Sequence, residues 1–124
     1  MRWLLAGVIL AGLASAMPAE AQGRDCSGLA TQVEINGCHV QNFSFWEAEM
    51  ARHYAAALSA LSEEDEMHMR AGQLAFVTYR DMTCEVEAGL MRGGSGEAMM
   101  RFSCLSRLTE ARARDLQTWL GRVQ

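Results

Sequence analysis

Apolar residues recur at steps of three and four along three stretches of the chain, the period of one face of an α-helix. The first stretch follows Thr31-Gln32-Val33-Glu34, a capping box in which the hydroxyl and the carboxylate satisfy backbone amides at a helix start. This pattern predicts a first helix that runs to about Leu61. Its apolar face is Phe43, Trp46, Met50, Tyr54, Ala57 and Leu61.

The second stretch extends from about Glu63 to Met91. Ser62 is placed to cap it, and the acidic residues after Ser62 suit the positive end of the helix dipole. The face predicted to be buried is Met67, Arg70, Leu74, Val77, Asp81, Cys84, Ala88 and Met91. Asp81 interrupts this mainly apolar line.

A glycine-rich break separates the second stretch from the third. It reads Gly93-Gly94-Ser95-Gly96, and Ser95 is placed to cap a third helix that runs to about Leu120. The predicted buried face of that helix is Ala98, Phe102, Leu105, Thr109, Arg112, Leu116 and Trp119. Three amphipathic helices joined by short turns predict an all-α fold, an antiparallel three-helix bundle.

The first residues resemble a signal peptide. Arg2 precedes an apolar run from Trp3 to Ala16, which is too short for a membrane span. Cleavage after Ala16 and cleavage between Ala21 and Gln22 are both open, and the second is favoured. We therefore expect a signal peptide over residues 1–21, one helical domain over residues 22–124, and a periplasmic or secreted protein. No lipobox precedes Cys26, so no stable membrane anchor is expected.

The charge of the chain argues against nucleic acid as a partner. The net charge is −4, and removal of residues 1–21 leaves it unchanged because Arg2 and Glu20 leave together. Binding to phosphates needs a basic surface, which this pattern does not provide. An acidic exported protein instead attracts basic partners through fields that salt weakens.

All four cysteines follow the predicted leader, and an even number in an exported chain favours two disulfides over metal binding. Cys84 and Cys104 lie about equally far from the glycine break, so in a helical hairpin they would face each other. We therefore favour the pairs Cys84–Cys104 and Cys26–Cys38. Crossed pairing remains open.

The polar interruptions form the next candidate feature. Asp81 and Thr109 are nearly level when counted from the glycine break, and Arg112 is within reach of a long side chain. One interpretation is a partly buried polar cluster that fixes the alignment of the helices. The other is that this cluster holds Arg80 and the glycine loop as a binding surface.

The spacing of these motifs resembles the LprI-like lysozyme inhibitor family of exported bacterial proteins. The resemblance spans about Cys26 to Leu116 and includes YRD-x(2)-C, GGS and C-x(4)-T-x(2)-R. The matching residues are Cys26, Thr31, Gln32, Glu34, Cys38, Tyr79, Arg80, Asp81, Cys84, Gly93, Gly94, Ser95, Cys104, Thr109 and Arg112. Phe76 stands where the family usually has Trp, and the lipid anchor of the namesake is missing.

The resemblance implies a small disulfide-bonded helical domain whose partner is a lysozyme-type muramidase. Many lysozymes are basic and have carboxylates in the cleft, so an acidic inhibitor that inserts a loop could block them. The candidate partner-binding residues are Arg80, Arg92, Gly93, Gly94 and Ser95. The alternative for the glycine loop is a plain turn between two helices.

Other functions are less well supported by the sequence. No nucleophile motif, HExxH or phosphate loop occurs, so an enzyme is not expected, and no cofactor is implied. Met67-His68-Met69 offers soft ligands for Cu(I), but successive helical residues point in different directions. A structural or adaptor module of the cell envelope is the main alternative function.

Overall fold

The computed structural model describes residues 23–124, which form three helices and contain no strand. They are α1 (Gln32–Ser59), α2 (Glu63–Gly89) and α3 (Glu97–Val123). The predicted all-α three-helix fold is therefore confirmed. The predicted signal peptide, residues 1–21, lies outside the described residues. No helix within residues 23–124 has the length and apolar character needed to cross a membrane.

Side-chain caps begin the first two helices, as predicted. The Thr31 hydroxyl accepts a hydrogen bond from the Glu34 amide at 3.2 Å, and the Glu34 carboxylate accepts one from the Thr31 amide at 3.0 Å. Ser62 Oγ accepts from the Asp65 amide at 3.3 Å. These bonds satisfy amides that have no partner inside the helix, so they fix where each helix begins.

The prediction that Ser95 caps α3 is wrong. The N-cap residue is Gly96, which has no side chain to make a capping bond. Glu97 turns back instead, and its carboxylate accepts a hydrogen bond from the Gly93 amide at 2.9 Å. Ser95 is exposed on the loop and contributes its backbone carbonyl, not its hydroxyl, to the contact with α1.

The apolar core lies toward the end of the bundle away from the glycine loop. Helix α3 packs against both α1 and α2 and therefore lies at the centre of the fold. The buried core side chains come from α1 and α3, with partly buried side chains from α2 at the edge. The buried set is Trp46, Met50, Ala57, Ala113, Leu116 and Leu120, with Met69 and Phe76 of α2 beside it.

The predicted buried face of α2 is displaced from the observed one. Met67, Leu74 and Asp81 were expected to be buried, but all three are exposed. The buried face of α2 contains Cys84 and Ala88, as predicted, together with Gln73 and Arg80, which were not predicted to be buried. Two of these residues are long and polar, and they are buried because each has hydrogen-bonding partners on another helix. Hydrophobicity alone therefore identified Cys84 and Ala88 correctly but placed exposed residues in the interior and missed the two buried polar ones.

Two disulfides stabilise the end of the bundle that carries the loop. Cys84 of α2 is bonded to Cys104 of α3, and Cys26 is bonded to Cys38 of α1. The favoured pairing is confirmed, and no cysteine among the described residues is free. Cys84 and Cys104 are each 1% exposed, so this bond is part of the interior.

Candidate functional site

The loop between α2 and α3, residues 90–96, is the most distinctive exposed feature of the backbone. Gly93 has a φ of 78°, a left-handed conformation that glycine adopts without the cost a side chain adds. The Gly94 amide donates to the Met91 carbonyl at 2.9 Å. A Cβ on Gly94 would lie 3.1 Å from that same oxygen, so the turn is tight at two successive glycines.

Two further contacts fix the loop, one within it and one to the bundle. The Met91 side chain lies over Gly96, where an added Cβ would come within 2.6 Å of its terminal methyl carbon. The Asn36 amide group donates to the Ser95 carbonyl at 3.5 Å, and this contact joins the loop to α1. Arg92 and Ser95 remain exposed. The loop therefore presents a fixed backbone with two polar side chains.

An ion-pair network lies at the base of the loop. Arg101 of α3 donates to Glu85 of α2 at 2.8 Å and to Glu97 at 3.2 Å. The Gly93 amide, and then the Arg101 guanidinium, hold the pKa of Glu97 below its usual value. Arg101 likewise lowers the pKa of Glu85, and the two carboxylates together raise the pKa of Arg101. These groups stay charged across neutral pH, so the loop keeps its support.

Arg80 is the centre of the buried polar cluster. It is 4% exposed, and its Nη1 donates to Glu47 of α1 at 3.1 Å and to Thr109 of α3 at 3.2 Å. Its Nε donates to Asp81 at 2.8 Å. The guanidinium carbon also lies 5.3 Å from the ring centre of Phe43. One side chain of α2 thus connects all three helices.

The residues predicted to form one polar cluster fall into two groups. Asp81 and Thr109 share Arg80 as their partner, whereas within residues 23–124 Arg112 makes no hydrogen bond or ion pair with either of them. Arg112 donates to Gln73 at 3.0 Å and to Asp115 at 3.1 Å, about one turn further along α3. The predicted set of Asp81, Thr109 and Arg112 is corrected accordingly. Arg80, which was expected to meet a partner, has its guanidinium inside the bundle.

Two members of this cluster were not predictable from the sequence. Glu47 and Phe43 lie on α1, more than thirty residues before Arg80, and no local spacing links them to it. A groove of about 460 Å³ lies beside the cluster and is open to solvent. It runs between the helices next to the Cys84–Cys104 disulfide. The lining includes Phe43, Met82, Glu85, Arg101 and Leu105.

The structure offers little support for a metal centre. Met67 is 62% exposed, whereas the Met69 sulfur accepts a hydrogen bond from Arg112 on the inner face of α2. The two methionines therefore face different directions. Within residues 23–124, no three side chains of His, Cys, Asp or Glu are grouped closely enough to hold a metal ion.

Comparison with known proteins identifies the family of this chain. A family model described as lysozyme inhibitor LprI matches residues 24–116, which include both disulfides, the Arg80 cluster and the loop. An uncharacterised protein of Rhizobium meliloti (strain 1021) is 30% identical over 115 residues, covering 81% of this chain and 83% of that protein. No solved structure matches the chain. Because the match covers most of its length, the chain belongs to the LprI lysozyme inhibitor family.

Proposed function

We propose that this protein binds a lysozyme-type muramidase outside the cytoplasm and inhibits it, with the loop of residues 92–95 entering the substrate cleft. The observation that carries the proposal is the braced, exposed loop in a member of the inhibitor family. A loop already ordered before binding loses little entropy when it binds. The Gly93 and Gly94 amides are already bonded to the Glu97 carboxylate and the Met91 carbonyl, so the polar groups that the loop can offer a cleft are the exposed Arg92 and Ser95 side chains.

The charge of the chain supports the same partner. The net charge of −4 favours encounter with a basic enzyme and raises the association rate at low salt. Arg92 lies in the loop and makes no ion pair within residues 23–124, so it is available to a carboxylate in the cleft. The surface therefore combines a broad acidic field with one local positive charge.

Arg80 has a positioning role in this proposal. Its guanidinium is buried, and it acts by holding α1, α2 and α3 in one alignment below the loop. Asp81 and Thr109 contribute as its partners, and Arg112 joins α2 to α3 about one turn further along α3. Of the five candidate partner-binding residues, the four in the loop are the ones that can contact a lysozyme directly.

Export is part of the proposal. A signal peptide cleaved between Ala21 and Gln22 would deliver the chain to the periplasm or the medium, where both disulfides form. Mass spectrometry of the exported protein tests this step. A chain that starts at Gln22 with four oxidised cysteines is the expected product, and free thiols would contradict it.

The activity is tested by following lysis of bacterial cell walls by animal and bacterial muramidases with the oxidised protein added. Inhibition that saturates near one equivalent of protein is expected for at least one of these enzymes. The inhibition should weaken as salt rises, because the encounter is electrostatic. Unchanged lysis with every enzyme, at excess protein, would refute the proposal.

The loop is tested separately with the substitution Ser95→Trp. The indole would enlarge the tip of the loop, so inhibition should fall by at least tenfold while the fold is kept. Ser59→Trp is the matched control, because Ser59 is exposed at the opposite end of the bundle. Equal inhibition by the two variants would show that the loop is not the inhibitory segment.

A further inference from the structure

Helix α2 carries a second apolar face on the side away from the bundle. Its large apolar side chains are between 59% and 77% exposed, which is unusual for a surface helix. Most are separated by three, four or seven residues, so they share one side of the helix. They are Met67, Leu74, Tyr79, Met82, Val86 and Leu90, and we call this set the outer face of α2.

We infer that the outer face of α2 pairs with the same face of a second copy of this chain, with the two helices antiparallel. The twofold axis would pass near residues 78 and 79. Two residues then lie opposite each other when their numbers add up to about 157. Met82 then meets exposed Ala75 of the other copy, and Val86 meets exposed Ala71. Met82 and Val86 thus fit against alanines, and Leu90 meets Met67 toward each end of the contact.

A charge in the first turn of α2 and one in the loop after α2 favour this partner. Glu64 lies on the outer face at the first turn, and neither it nor Arg92 makes an ion pair within residues 23–124. In the antiparallel pair, Glu64 of one copy lies opposite Arg92 of the other, and symmetry repeats the contact at the far end. A parallel pair would instead bring the acidic first turns of both helices together, which is repulsive.

The area is sufficient for a weak, specific dimer. Six large side chains that each bury roughly 60–120 Å² give on the order of 1,000 Å² for both copies, where specific interfaces begin. We therefore expect reversible association with a Kd of about micromolar order. This inference does not depend on lysozyme binding. The dimer and the lysozyme complex would nevertheless compete, because both use Arg92.

Sedimentation velocity of the oxidised protein, without lysozyme and over a range of concentrations, tests the pairing. The wild-type protein should shift from monomer to dimer as the concentration rises. Met82→Glu should abolish the dimer, because a charge would be buried at the centre of the contact. Val33→Glu is the matched control. Val33 is 81% exposed on α1, away from the outer face of α2, so this variant should still dimerise.

The orientation is tested by exchanging charges. Glu64→Arg and Arg92→Glu should each weaken the dimer at least threefold, and the double variant should recover most of the wild-type affinity. Circular dichroism of each variant checks that the helices remain. A wild-type protein that stays monomeric at every concentration, a Met82→Glu variant that still dimerises, or a double variant that is not restored would overturn the inference.

Discussion

Truncation of Arg80 to alanine should destabilise this protein more than loss of any exposed arginine. The guanidinium donates to Thr109, which is fully buried, and to carboxylates on α1 and α2. Its carbon also lies within 5.9 Å of the Phe76 ring centre, so the side chain contributes packing as well as charge. Arg80→Ala removes all of these contacts at one position.

The size of the destabilisation depends on whether each partner of Arg80 finds a new hydrogen-bonding group once the arginine is removed. The buried Thr109 hydroxyl loses its partner from α2, which costs about 1–3 kcal/mol. Glu47 and Asp81 have side chains that are 39% and 55% exposed, so water replaces the arginine and each lost pair costs about 1 kcal/mol or less. Relief from burying a cation offsets part of the loss. The free energy of unfolding should fall by about 3 kcal/mol.

Urea unfolding of the oxidised protein, followed by circular dichroism, measures this change. Arg80→Met keeps the apolar stem and should recover at least about 1 kcal/mol of the loss. Arg107→Ala is the matched control, because Arg107 is 60% exposed and pairs with Glu87 on the surface, so its loss should cost less than about 1 kcal/mol. If Arg80→Ala and Arg107→Ala unfold at the same urea concentration, the buried cluster does not stabilise the helices as argued.

Three further outcomes follow from the structure. Replacing Cys84 and Cys104 together by alanine removes a disulfide between residues 20 positions apart. Calorimetry should show that the free energy of unfolding falls by about 3 kcal/mol. An unchanged melting temperature would contradict this. Leu116→Ala, at a position 1% exposed, should cost about 2–5 kcal/mol in urea unfolding, and a cost below 1 kcal/mol would place Leu116 outside the core. Burial, and to a lesser extent the charge of Arg52, lowers the pKa of His53 in the folded protein. As the pH falls, the unfolded chain therefore binds a proton at His53 before the folded protein does. The free energy of unfolding should decline as the pH falls below about 6.5. Because burial also lowers the pKa of His39, His53→Gln should reduce this decline between pH 6.5 and 5 without abolishing it, and a decline as steep as in the wild type would contradict the argument.

Local chemistry made much of the fold predictable. The Thr31 and Ser62 caps set where α1 and α2 begin because each needs only a residue three positions ahead. The Cys84–Cys104 pair could be expected because both residues are about equally distant from one turn. In each case the interacting groups belong to one turn or one hairpin.

The polar interior was less predictable because its partners are distant in sequence. Arg80 is buried only because Glu47 and Thr109, from two other helices, meet its guanidinium. Amphipathic periodicity assigned that part of α2 to solvent and placed Leu74 inside, although Leu74 is 70% exposed. The apolar outer face misled the assignment in the same way, since hydrophobicity does not reveal which of two apolar faces meets the bundle.

The disulfide below the loop has a consequence for how the protein responds to proteolysis. Arg92 and Gly93 form an exposed basic peptide junction, which is a natural point of attack for enzymes that cut after arginine. The Cys84–Cys104 bond encloses this junction in a covalent ring. A single nick there leaves both fragments joined, so the damaged molecule keeps its mass on a non-reducing gel and separates into two pieces only when thiols are added.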